Sequence, residues 1–291
     1  MMTDLNTEPK QTARRGLAVY LASLAGLSLP MYLVMAGRAV PVAEQPALVV
    51  LLMWMPAVAS IVARLTVRPP RTTAEGREPD PTGLRRLDRP VLGPIAVALA
   101  FPVVVGLLSY GFGWSTGLAA YVPGGETAGV QAAGGLPRLF ADIGRALLIG
   151  VPFGLLIVAG EEIGWRGYMT LRLHEADLPG GQATGGLVWA AWHAPLIITG
   201  QYAGSAYPPL AVAAFAVLAV GLHLLWSSWR LSTGSLWPAI VAHSAWNTII
   251  QGPFDGHTAG ATASVWLGDS GLLTAGLCLA AAGVLLRARV R

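Results

Sequence analysis

An all-α fold, a polytopic transmembrane bundle of about eight helices, is what this sequence predicts, on three observations. The 291 residues are 54% hydrophobic and only 12% charged, where soluble domains carry about 25% charged residues. Apolar runs of roughly 20 residues, long enough to cross a bilayer as helices, recur along the chain. The positive charges fall in alternating gaps between those runs. The net charge of +4, carried by arginine with Lys10 as the only lysine, therefore reads as a topology signal facing anionic lipid, and no nucleic-acid partner is expected. Cys278 is the only cysteine, which excludes an internal disulfide and a cysteine-based metal knuckle.

The spans are read at about 16–36, 47–67, 91–112, 140–162, 183–200, 209–229, 236–251 and 266–286. Lys10, Arg14 and Arg15 precede the first. Its long apolar run, a leader holding Asp4 and Glu8, and the lack of a small-residue cleavage site favour a retained helix over a signal peptide. Arg64, Arg68, Arg71, Arg77, Arg85, Arg86 and Arg89 crowd a Pro/Arg-rich linker at 68–90. Arg166, Arg172, Arg230 and the C-terminal Arg287, Arg289 and Arg291 continue the pattern, with Arg38 the main exception. The positive-inside rule then puts both termini in the cytoplasm and makes this a multi-pass protein of the cell membrane. Residues 114–136 read as a Gly-rich outer loop. Gly181 and Gly185 have the GxxxG spacing that lets helices approach closely.

The polar residues inside the spans carry the chemistry. The charge-free run from Ala146 to Gly160 is roughly 22 Å of helix, short of a roughly 30 Å hydrocarbon core, so this helix extends at one end or both. The expectation is that Glu161 and Glu162 lie at or just inside the cytoplasmic boundary. Glu162 and Arg166 are spaced i,i+4 in the favourable order and can neutralise each other. Glu161 points about 100° away, has no such local charge partner, and suits a general base. His193 stands in span five, four residues after Trp189. His243 and Asn247 share one face of span seven. His223 reads as a packing residue and His174 as part of a cytoplasmic turn. Intramembrane polar groups usually face the bundle interior and mark function.

A carboxylate with a histidine can hold and deprotonate a water, while a second histidine and an amide can donate to an oxyanion. That set suits hydrolysis of an acyl bond without a covalent intermediate. HExxH is absent, since Leu178 stands where His174-Glu175 would need a second histidine. GxSxG is absent too, and Ser244 projects about 100° from His243. The Glu/His/His set leaves two routes open, a divalent metal such as zinc and a metal-free glutamate mechanism.

These residues resemble the CPBP family of intramembrane proteases, also called the CAAX-protease or Abi family. Its first motif, two glutamates, three variable residues and an arginine, is matched by Glu161, Glu162 and Arg166, with Trp165 and Gly167 also typical. Its aromatic-then-histidine motif is met by Trp189 and His193, with tryptophan where phenylalanine is usual. Its histidine-then-asparagine motif is met by His243 and Asn247. The resemblance covers under half of the chain and divides it into an N-terminal membrane region (1–137), a protease-like core (138–251) and a C-terminal span with a basic tail (252–291). It implies an intramembrane endopeptidase that cuts a protein or peptide substrate near the cytoplasmic interface. Glu161 and His193 would activate the water, His243 and Asn247 would form the oxyanion site, and Arg166 would brace Glu162 or position the substrate. Family membership does not fix the target. The arginine-dominated composition points to a GC-rich bacterial genome, hence to peptides or membrane-anchored bacterial proteins. Two other readings stand beside this one: a non-catalytic immunity or scaffold protein that binds a peptide or partner, and a transporter.

Overall fold

The computed structural model describes residues 7–38, 40–67, 82–84, 87–123, 135–203 and 205–290. Most of the Pro/Arg-rich linker, with Arg68, Arg71, Arg77, Arg85 and Arg86, and residues 124–134 of the outer loop lie outside the described residues.

The fold is an all-α bundle. Its long helices are α1 (Thr7–Arg38), α2 (Pro46–Thr66), α3 (Arg89–Thr116), α4 (Gly135–Glu175), α5 (Gly181–Ile198), α6 (Pro208–Thr233), α7 (Trp237–Ile249) and α8 (Leu272–Val290). Proline in the first turn starts α2, α3, α6 and α7, where its fixed φ suits the helix and its missing N–H costs nothing. Left-handed Gly117 and Gly234 close α3 and α6. Two residues of the outer loop, β1 (Ala120–Tyr121), pair antiparallel with β2 (Thr258–Ala259).

Helices α1, α2, α3, α4 and α6 are long and apolar enough to cross a membrane. Helices α5 and α7 are 18 and 13 residues long, and they are the two that carry His193 and His243. The eighth element begins at Leu272, not near residue 266. A four-residue helical turn, Ala263–Trp266, ends where Gly268 adopts φ +79, and the chain reverses before α8. That reversal takes Asp269 out of any span and turns it into the bundle, where it is 5% exposed. The helix of the glutamates extends in both directions from its charge-free run. It runs through π turns at Ala146–Gly150 and Trp165–Met169 as one 41-residue element. Its outward face is bulky and bare, with Leu148, Phe153 and Leu156 each at least 75% exposed, as suits contact with lipid rather than water.

Close approach by glycine sets the two contacts that matter for the site. A Cβ on Gly160 of α4 would lie 2.6 Å from the Trp54 Cα of α2. The contact anticipated for Gly181 and Gly185 shifts by one position. Gly185 and Gly186 face α6, where a Cβ would meet His223 Nε2 at 2.3 Å and Val220 Cα at 2.5 Å respectively, while Gly181 lies against Leu173 of α4.

The two ends of the bundle are tied separately. At one end Lys10 pairs with Asp177 at 2.7 Å, and the Leu236 amide donates to the Gly83 carbonyl at 3.0 Å. At the other end the Val42 amide donates to the Gln201 carbonyl at 2.9 Å, and β1 pairs with β2. The first end gathers Arg14, Arg15, Arg64, Arg172, Arg230 and Arg287. At the second lie Arg38, the last residue of α1, and Arg138 and Arg145, both bound to Asp142.

Gly160→Ala and Gly186→Ala should each destabilise the protein by about 1–3 kcal/mol, the cost of forcing bulk against backbone, read as a lower melting temperature in detergent. Gly26→Ala, where nothing lies within 4 Å, should leave it unchanged or slightly higher.

Candidate active site

Trp189 is the hub of the site. Its indole N–H donates to Glu161 Oε2 at 2.9 Å, and its carbonyl oxygen accepts from His193 Nδ1 at 3.0 Å. Its ring centroid lies 5.7 Å from that of His193 and 5.6 Å from that of His243. One residue thus gathers the carboxylate of α4 and the imidazoles of α5 and α7. The tryptophan where the resemblance leads one to expect phenylalanine does more than keep the wall aromatic, because phenylalanine has no N–H to give Glu161.

Glu161 is not free of local partners. The Trp165 indole, four residues along the same helix, donates to the same Oε2 at 3.1 Å. Two indoles hold one carboxylate oxygen and leave the other, Oε1, uncommitted among the described residues. The fixed geometry also sets the tautomer of His193. A carbonyl only accepts, so Nδ1 carries the proton and the Nε2 lone pair is available.

Behind this lies a charged pair with no exposure at all. Glu162 Oε1 accepts from Arg166 Nη1 at 2.8 Å and from His243 Nδ1 at 2.8 Å. The guanidinium lies between two indoles, 4.5 Å from the Trp189 ring centroid and 4.7 Å from that of Trp226. A desolvated cation–π contact contributes about 2 kcal/mol. The indole faces cover Arg166 Nε and Nη2, which have no hydrogen-bond partner among the described residues. Ser244 turns away from the site and donates to the Val151 carbonyl at 2.7 Å. His223 is buried beside Thr170 and Gly185, as a packing residue would be, and His174 is exposed in the last turn of α4.

Glu161, Trp189, His193, His243 and Asn247 line one cavity whose other walls are mostly apolar, including Met53, Phe215 and Leu222. Among the described residues no three or more His, Cys, Asp or Glu side chains are grouped to hold a metal ion. Both Nδ1 atoms are committed, to Trp189 and to Glu162.

Sequence reasoning missed a second polar layer at the cavity rim. Gln251 Nε2 donates to Asp269 Oδ2 at 2.7 Å and lies 3.4 Å from Asn247 Oδ1. Asp269 also accepts from Tyr202 at 2.5 Å and from the Trp246 indole at 2.7 Å. Burial and the adjoining Asp269 carboxylate hold the Tyr202 phenol well above its ordinary pKa, so it stays a donor. With its oxygen turned to Gln251, Asn247 keeps its NH₂ for the cavity. Gln251 was findable, since it continues the i,i+4 series from His243 through Asn247. Asp269 was hidden by assigning it to a span.

Helix α4 continues for about 14 residues beyond Glu161, roughly 21 Å, because Arg166 is neutralised internally and does not need water. The residues at the cavity rim, Met35, Val42, Tyr202 and Asp269, all belong to the opposite, arginine-poor end.

Comparison with known proteins agrees with this arrangement. No curated protein matches the chain. Residues 143–249 match the family model described as Rce1-like, type II CAAX prenyl endopeptidase Rce1-like. That stretch runs from α4 through α7, contains every side chain of the Trp189 hub, and supports the likeness to the CPBP, or CAAX-protease, family that the motifs carry.

Proposed function

We propose that this protein is an intramembrane endopeptidase in which Glu161 is the general base. The observation that carries this reading is the Trp189 hub, which presents a carboxylate and two imidazoles to one cavity. A water in the cavity donates its hydrogens to Glu161 Oε1 and His193 Nε2, which leaves an oxygen lone pair for a substrate carbonyl. Glu161 takes one proton as the C–O bond forms. The developing oxyanion accepts from the Asn247 amide and from His243 Nε2–H. In that role the His243 ring carries a proton on each nitrogen, with Nδ1–H on Glu162, and its positive charge is set against the oxyanion itself. Collapse of the intermediate breaks the C–N bond, and Glu161 returns its proton to the leaving amine. Such a base typically contributes about 10²–10⁴-fold, and preorganised donors in a water-poor site stabilise the oxyanion most. Arg166 lies behind the indoles, out of the cavity, and acts on the reaction only by fixing Glu162 and, through it, His243.

Glu161→Gln and His193→Ala should each lower peptide cleavage by about 10²-fold or more, with normal insertion and melting temperature. Full activity in both purified variants would overturn the assignment. Arg166→Met alone should destabilise the protein by about 3–5 kcal/mol, because it strands a buried carboxylate. Combining it with Glu162→Gln should restore most of that stability without restoring activity, which separates the structural role of the pair from catalysis. Dialysis against a chelator should leave cleavage within about twofold of the untreated enzyme, since the groups proposed to act are side chains.

A further inference from the structure

The cavity continues into one end of the bundle. Val42, Tyr202, Gln251 and Asp269 belong both to its wall and to the wall of a second, wider space lined also by Ala259, Gly260 and Ser264. This vestibule is built from the segments joining α1 to α2, α5 to α6 and α7 to α8. None of the described residues between helices at the other end, Gly83, Asp177 and Gly234 among them, lines either space. Lys and Arg residues gather at that other end, with Lys10, Arg14, Arg15, Arg64, Arg172 and Arg230 near the helix termini. Short segments rich in arginine stay on the cytoplasmic side. The vestibule therefore faces away from the cytoplasm.

The lining also selects by charge. Its ionisable side chains are Glu161, Asp269 and Asp255 with the histidines of the site, and among the described residues no lysine or arginine lines either space. A carboxylate brought here would meet acidic groups in a low-dielectric setting, where like charges repel strongly. The rest of the inner wall is aliphatic and aromatic, suited to apolar side chains.

We propose that the site takes an uncharged, apolar stretch inside a polypeptide, presented from the non-cytoplasmic side, and not a chain end carrying a free carboxylate. This reverses the side of the membrane expected from the sequence. It rests on the proposed peptidase reading for the purpose of the site, but the orientation and charge selection can be read without any cleavage.

The test uses sealed right-side-out vesicles holding the full chain, with a membrane-impermeant maleimide as the probe. The parent protein is the blank, because its single thiol, Cys278, is buried. Ala261→Cys, exposed beside the vestibule, should label in sealed vesicles, and Pro179→Cys, exposed at the opposite end, only after permeabilisation. The reverse pattern would overturn the orientation. Val42→Cys, on the shared wall, should also label in sealed vesicles, and an amidated Leu/Ala peptide added outside should slow that labelling several-fold. The same peptide with a free C-terminal carboxylate should protect several-fold less. Absence of protection, or protection by the free acid as strong as by the amide, would overturn the substrate class. Correct labelling and protection in a chain that cleaves nothing would sink the peptidase reading and leave this inference standing.

Discussion

A guanidinium sealed from water inside a membrane bundle is the constraint on which the rest of this structure depends. Arg166 has no exposed surface, and an isolated charge there would cost several kcal/mol. The protein answers with three neighbours at once: the Glu162 carboxylate and the faces of Trp189 and Trp226. Each of these does something else as well. Glu162 holds the ring of His243, and Trp189 holds Glu161 and His193. Neutralising one buried cation thus fixes the positions of Glu161, His193 and His243, although the cation itself never enters the cavity.

The N-terminal helices support this arrangement from outside the 143–249 match. Tyr32 of α1 bonds the Trp192 carbonyl, and Ser28 accepts from the Trp192 indole at 2.9 Å, next to His193. Tyr20 packs edge-on against Trp165 at 6.1 Å, behind Glu161. Helix α2 lies against Gly160 and Gly164, immediately around the two glutamates. Family likeness is concentrated in α4 to α7, yet the rigidity of the site draws on α1 and α2.

Helical periodicity made part of this legible in the sequence. The i,i+4 spacings of Glu162 with Arg166 and of His243 with Asn247 read directly as shared faces, and composition gave the bundle. Other features were hidden for physical reasons. Trp165 stands at i,i+4 from Glu161, the same spacing, but an indole was not counted as a partner because the search was for charges. Trp189 reaches Glu161 from another helix, and no local pattern announces such a contact. Arg166 suggested a membrane boundary because free arginine seeks water, whereas this one is satisfied inside. Asp269 was concealed in an apolar stretch that Gly268 divides into two pieces.

Helix α4 is long for the layer it occupies. Its 41 residues reach roughly 60 Å, about twice the thickness of a hydrocarbon core and more than tilt alone absorbs, so its charged ends at Arg138 and Glu175 pass beyond the apolar layer. The face opposite Glu161 shows Leu148, Phe153 and Leu156 to the acyl chains. The base is therefore mounted on the wall that feels the bilayer directly. A membrane of different thickness would bear first on this rod, whose inner face is held to the bundle by the two indoles on Glu161.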